Sequence, residues 1–157
     1  MIPDVKVLQK LSELPLVSGP RQRFDLTIPG LAQVTVDIQT LERLGGELWE
    51  VVVTPERTPV MLLTDHATGL AKRLTGLLES LSFVECDTLR GIAMLRSEQP
   101  MKHDQELSYY ELLVEQNGKM NLRRYQNRIG GTRHQVPFVL TREALAKAIA
   151  DLATPVI

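Results

Sequence analysis

The sequence predicts an α+β fold: a largely antiparallel sheet of about seven to nine strands, two amphipathic helices packed on one of its faces, and a short N-terminal helix added to them. Three observations carry this. Apolar residues alternate with polar ones in many short runs, helical spacing appears in only three stretches, and turn dipeptides separate the runs. With 157 residues and a hydrophobic fraction of 43%, the chain suffices for a single domain spanning residues 1–157.

Pro3 opens the first helical stretch, where Val7, Leu8, Leu11 and Leu14 share a face before Pro15 ends it. From Phe24 the period becomes two. Phe24, Leu26 and Ile28 alternate with Asp25 and Thr27, Pro29-Gly30 turns the chain, and Val34, Val36 and Ile38 alternate with polar neighbours, which predicts a hairpin with one apolar face. Gly45-Gly46 reads as the next turn. It leads to a strand over residues 47–54 with Trp49, Val51 and Val53 on one side, and residues 60–63 are a fourth, short strand. Thr64 or Asp65 can then cap a helix whose stripe is Leu70, Leu74, Leu77, Leu78 and Leu81. Gly69 and Gly76 lower its intrinsic stability by about 1 kcal/mol each, so packing must hold it.

Residues 83–87 and 92–97 flank a hairpin-length turn, and residues 98–106 read as an exposed loop. Residues 107–116 and 119–126 then surround Asn117-Gly118, a pair suited to a two-residue turn. Residues 127–135 form a loop and residues 136–140 a strand. Thr141 caps a last helix carrying Leu145, Ala148, Ile149 and Leu152. Two stretches, Pro59 to Lys72 through Thr64 and Pro137 to Lys147 through Thr141, repeat a strand, a threonine cap and a helix. The chain can therefore be read as ββββα twice, over residues 21–81 and 82–153.

The second half, from Tyr110-Glu111-Leu112-Leu113-Val114-Glu115-Gln116-Asn117-Gly118-Lys119 through Leu122-Arg123-Arg124-Tyr125 to Val139-Leu140-Thr141 and its Ala/Leu helix, resembles a PUR repeat. Whirly-type proteins are similar in arrangement. The resemblance implies a ββββα unit that binds single-stranded DNA or RNA on the outer face of its sheet. It is confined to the second half, because the first half has no matching basic turn.

Charge supports a local version of that expectation. The chain holds 18 Lys+Arg against 19 Asp+Glu, which excludes a uniformly basic coat. Yet residues 119–134 contain Lys119, Arg123, Arg124, Arg128 and Arg133 with no acidic residue. A two-residue turn at Asn117-Gly118 would pair Tyr110 with Tyr125 and Leu112 with Arg123 on one face, and Leu113 with Leu122 and Glu111 with Arg124 on the other. The second face is the core candidate. Tyr110, Lys119, Asn121, Arg123 and Tyr125 then point outward and, with Arg128 and Arg133, form the candidate nucleic-acid site, aromatics for stacking beside cations for phosphates. The alternative is a protein-interaction or adaptor surface, with a partner protein or a second copy in a homodimer.

Nothing nominates a catalytic residue, a metal or a cofactor. His66, His103 and His134 stand apart, Asp65-His66 suits a helix start, and Cys86 lies in an apolar strand pattern as a buried thiol. Gly45-Gly46 and Gly130-Gly131 lack the context of a phosphate loop. One cysteine and the lack of a long apolar run fit a soluble, cytoplasmic protein without a membrane segment.

Overall fold

The computed structural model describes residues 2–155. Helix α1 (Pro3–Ser12) is followed by β1 (Gln22–Ile28), β2 (Ala32–Leu41), β3 (Gly45–Pro55), α2 (Leu63–Arg73), β4 (Leu81–Asp87), β5 (Ile92–Ser97), β6 (Met101–His103), β7 (Glu106–Glu115), β8 (Met120–Arg128), β9 (Arg133–Val136), β10 (Phe138–Thr141) and α3 (Arg142–Ala153). The strands form one sheet in the order β1-β2-β3-β8-β7-β5-β4, with antiparallel pairing throughout. The α+β class is as the periodicity predicts, with ten strands among the described residues.

One face of the sheet is apolar. Val34, Val36, Val51, Val53, Leu95, Leu112, Val114, Met120 and Leu122 lie in a single core with Val7 and Leu11 of α1, Ala67 and Leu70 of α2, and Leu145 and Ile149 of α3. The Thr141 hydroxyl accepts the Ala144 N–H at 3.0 Å, the cap the sequence predicts. Helix α2 differs. Its N-cap is Leu62, without a side-chain cap, so Thr64 and Asp65 lie inside the helix.

The helix also stops at Arg73, whereas the leucine stripe predicts continuation to Leu81. Arg124 instead holds the segment that follows. It lies on the apolar face of β8, only 7% exposed, and needs an acid. Glu79, in the non-helical segment after α2, supplies it through bonds of 2.8 and 3.0 Å. Ser97 donates to the same carboxylate at 2.8 Å and accepts the Tyr110 N–H. Leu81 then opens β4 rather than closing a helix.

Residues 60–63 are not a strand: Val60 is fully exposed and Leu63 begins α2, so three strands precede α2 rather than four. The loop expected at residues 98–106 contains β6, paired with β7. Much of the loop expected at residues 127–135 is β structure, because β8 runs to Arg128 and β9 returns along it. Pro137 breaks the strand expected at residues 136–140: β9 pairs with β8, β10 pairs with β3, and the two fill the fork where β3 and β8 diverge.

Gly45-Gly46 is not a turn but the start of β3. A Cβ on Gly45 would lie 2.5 Å from the Leu140 carbonyl oxygen, and one on Gly46 would lie 2.6 Å from that of Thr40, so both flanking strands pass too close for a side chain.

Two predictions follow from this core. Arg124→Met strands Glu79 in a largely apolar site and should cost about 3 kcal/mol in urea unfolding, most of it regained in Arg124→Met/Glu79→Leu. His66 is buried on α2, and burial first, then the nearby Arg73, lowers its pKa below the usual value of 6.5. The unfolded chain therefore takes up the proton at higher pH than the folded one. The neutral-His66 contribution should be complete above about pH 6.5 and decline as the pH falls toward the lower folded value. Thermal melts between pH 7 and 5 should show this decline, and His66→Gln should flatten it.

Candidate binding face

Among the described residues no helix covers the second face of the sheet, and the β7–β8 register decides what that face presents. The Gln116-Asn117-Gly118 turn has three residues rather than two: the Glu115 N–H reaches the Lys119 carbonyl at 2.8 Å, and Gly118 takes φ +98°. Tyr109 therefore faces Tyr125, Tyr110 faces Arg124, Glu111 faces Arg123, and Leu112 faces Leu122. This corrects the predicted pairing by one residue. Tyr110, predicted to point outward, is 2% exposed in the core, with its ring edge against Phe138 and Arg124 over its face. Tyr109 takes its place, and Leu113 exchanges sides with Leu112.

The other predicted site residues separate into two groups. Asn121, Arg123 and Tyr125 share the open face, and Arg133 joins them from β9 with its guanidinium 3.9 Å above the Tyr125 ring. Lys119 stands exposed in the turn and Arg128 at the far end of β8. They flank the site without entering it.

The sequence reading missed the first half's contribution. Arg23 pairs with Asp37, Asp37 with Glu50, Glu111 with Arg123, and Arg96 with Glu111, while Glu50 and Arg123 lie one step beyond Val51 and Leu122. Six charged residues thus form one row across β1, β2, β3, β8, β7 and β5, about 24 Å long at the usual strand spacing. Arg21 and Arg133 join it from outside. The Asp37 carboxylate is held by Arg21 at 2.8 Å and by Arg23 at 3.6 Å. Glu50 is held by Arg123 at 2.5 Å, and Glu111 by Arg96 at 3.1 Å and Arg133 at 2.5 Å. The signal was available in the cross-strand spacing of Asp37, Glu50 and Glu111, but it needs the strand order to be seen.

The acids are recessed and the bases project. The carboxylate side chains are 4–11% exposed, against 38–62% for the five arginines. The Tyr125 hydroxyl first, and then Glu50, hold Arg123 above its ordinary pKa; the Glu111 hydrogen bond does so for Arg133. Donors also exceed acceptors. Among the described residues, Arg96 donates only through Nε, and Arg23 makes only its long ion pair.

A second row adjoins the first. Two register shifts leave Trp49 on β3 and Gln39 on β2 without strand partners, and Trp49 Nε1 donates to Gln39 Oε1 at 2.9 Å. This irregularity separates Trp49 from buried Val51 and Val53, its predicted face-mates. Arg21 lies 4.6 Å from the centre of the Trp49 ring, Gln135 donates to the Trp49 carbonyl at 2.7 Å, and the Tyr109 and Tyr125 rings are 6.2 Å apart.

Among the described residues no group of three or more His, Cys, Asp or Glu side chains is placed to hold a metal ion, and no helix is long and apolar enough to cross a membrane. Comparison with protein-family models, curated proteins and solved structures finds no match for this chain.

Five arginines against three carboxylates leave the row at +2. Replacing two of the acids, as in Glu50→Gln/Glu111→Gln, raises it to +4. A labelled single-stranded oligonucleotide should then bind more tightly at low salt, with the slope of log K against log salt steepened by about 1.4. Fluorescence anisotropy across a salt series measures both.

Proposed function

We propose that this chain is a binding module that docks a protein partner on its open sheet face. The observation that carries this reading is the composition and state of that face. Trp49, Tyr109 and Tyr125 lie among half-exposed arginines, and each arginine is paired with a recessed carboxylate. Tryptophan, tyrosine and arginine dominate the energetics of protein interfaces, where pre-ordered side chains lose little freedom on docking. The pairing also reduces the excess positive charge that drives phosphate binding.

A second reading, single-stranded DNA or RNA, draws on the stack of Arg133 over Tyr125 with Tyr109 beside it, since guanidinium planes and rings both accept bases. A homodimer through this face is less well supported. The row reads + − − + − + from β1 to β5, and laid against its own reverse it sets like charges together at both ends.

Affinity capture from the source lysate, with and without nuclease, tests the proposal. Arg23→Glu/Arg96→Glu alters the face, and Leu89→Asp, in the exposed β4–β5 turn, serves as control. Proteins retained by the wild type and the control after nuclease, and lost by the double variant, are expected. Capture abolished by nuclease would favour the nucleic-acid reading, and capture unchanged in the double variant would overturn the role of the face.

A further inference from the structure

The open face continues past Trp49 into an apolar cleft. On β3 the next outward residue is Glu47, opposite Val139 of β10 and Thr40 of β2. Beyond it, Leu44 in the β2–β3 turn is 84% exposed and Val139 is 72% exposed. Between them lies an open cleft of about 370 Å³, bounded also by Leu140 and Thr141 and, on its rim, by Glu42 and Glu47, so a partner's acids belong on the arginine row and not in the cleft. A second cleft on the other side of Leu44 reaches Leu16, 66% exposed, and Val17. Glu47 and Glu50 are three residues apart, so the cleft opens about 10 Å from the arginine row.

We infer that the partner docks through a segment that places a large apolar side chain in the Leu44–Val139 cleft and carboxylates on the arginine row; this rests on the open face being the docking surface. The charge follows from the asymmetry of the row. Its own carboxylates are covered, its guanidinium groups project, and the unused N–H groups of Arg96 and Arg23 are free to donate to a partner's carboxylates. The apolar anchor follows from continuity. Leu44 and Val139 border the same face, and an exposed apolar rim beside a tryptophan and charged side chains suits a buried anchor. An extended segment reaches the middle of the row in about three residues and its ends, Arg23 and Arg96, in about four or five, so anchor and acids lie close in its sequence. A basic segment would meet projecting arginines.

The test uses three labelled twelve-residue peptides with the intact protein: one joining a Leu-rich half to a Glu-rich half, one joining a Leu-rich half to a Lys-rich half, and one joining a Ser-rich half to a Glu-rich half. Anisotropy should show the Leu/Glu peptide binding at least tenfold more tightly than the other two. Leu44→Asp should weaken it about tenfold, and Arg23→Glu/Arg96→Glu should do the same. Leu44 is exposed, so the variant should melt as the wild type does; if it does not, Val139→Asp replaces it. Equal affinity for the Leu/Lys peptide, or binding indifferent to the cleft variant or to the arginine variant, overturns the inference. Applying Leu44→Asp to lysate capture separates the two claims. If the arginine variant loses the partner while Leu44→Asp retains it, the docking face stands and the apolar anchor fails. If neither loses it, the docking face itself is wrong.

Discussion

The pairing register of β7 with β8 governs both faces of this molecule. A three-residue turn with Gly118 at positive φ sets it, and a shift of one residue would put Tyr110 and Leu112 in water and Leu113 in the core. Everything on the open face depends on that choice. Glu111 reaches Arg96 and Arg133 because it stands on that face opposite Arg123, while Arg124 faces inward in either register and meets Glu79 there. The inward arginine holds Glu79 in the non-helical segment after α2. One backbone conformation thus links the core and the charged row.

The row is costly to build. Asp37 and Glu50 are directly opposite on neighbouring strands, a like-charge pair that destabilises a sheet when left alone. Arg21, Arg23 and Arg123 offset the repulsion from both sides, while Asn121 approaches Glu50 at 3.4 Å. Because exposed pairs contribute about 0–1 kcal/mol, the network's main effect is to hold long side chains in fixed positions. A face whose arginines are already ordered loses less entropy when it meets a partner.

Much of the fold was legible because two-residue alternation survives local error. The β1–β2 hairpin, the Thr141 cap and the apolar side of β8 follow from residue patterns alone. What failed depended on distant residues. The leucines after Arg73 have helical spacing, yet Glu79 is held by an arginine 45 positions away. Gly45-Gly46 looks like a turn, yet the close passage of Thr40 and Leu140 is what requires it. Of the candidate site, Asn121, Arg123, Tyr125 and Arg133 were found from one basic stretch. Asp37, Glu50, Trp49 and Arg96 were missed because strand order, which brings β2, β3 and β5 into the same row, is not written in any local window.

The packing of α1 on α3 has a consequence for synthesis. Arg142, at the start of α3, donates to the carbonyl of Leu11 at 2.8 Å across 131 positions, and the two helices cover the same core. A nascent chain emerging at about 5–20 residues per second holds Val7 and Leu11 without their final cover for at least several seconds. During that interval β1 and β2 can pair, but the fork between β3 and β8 stays unfilled until β9 and β10 arrive. Strands β9 and β10 and helix α3 therefore close the sheet and bury the first helix, which waits for a residue 131 positions further along the chain.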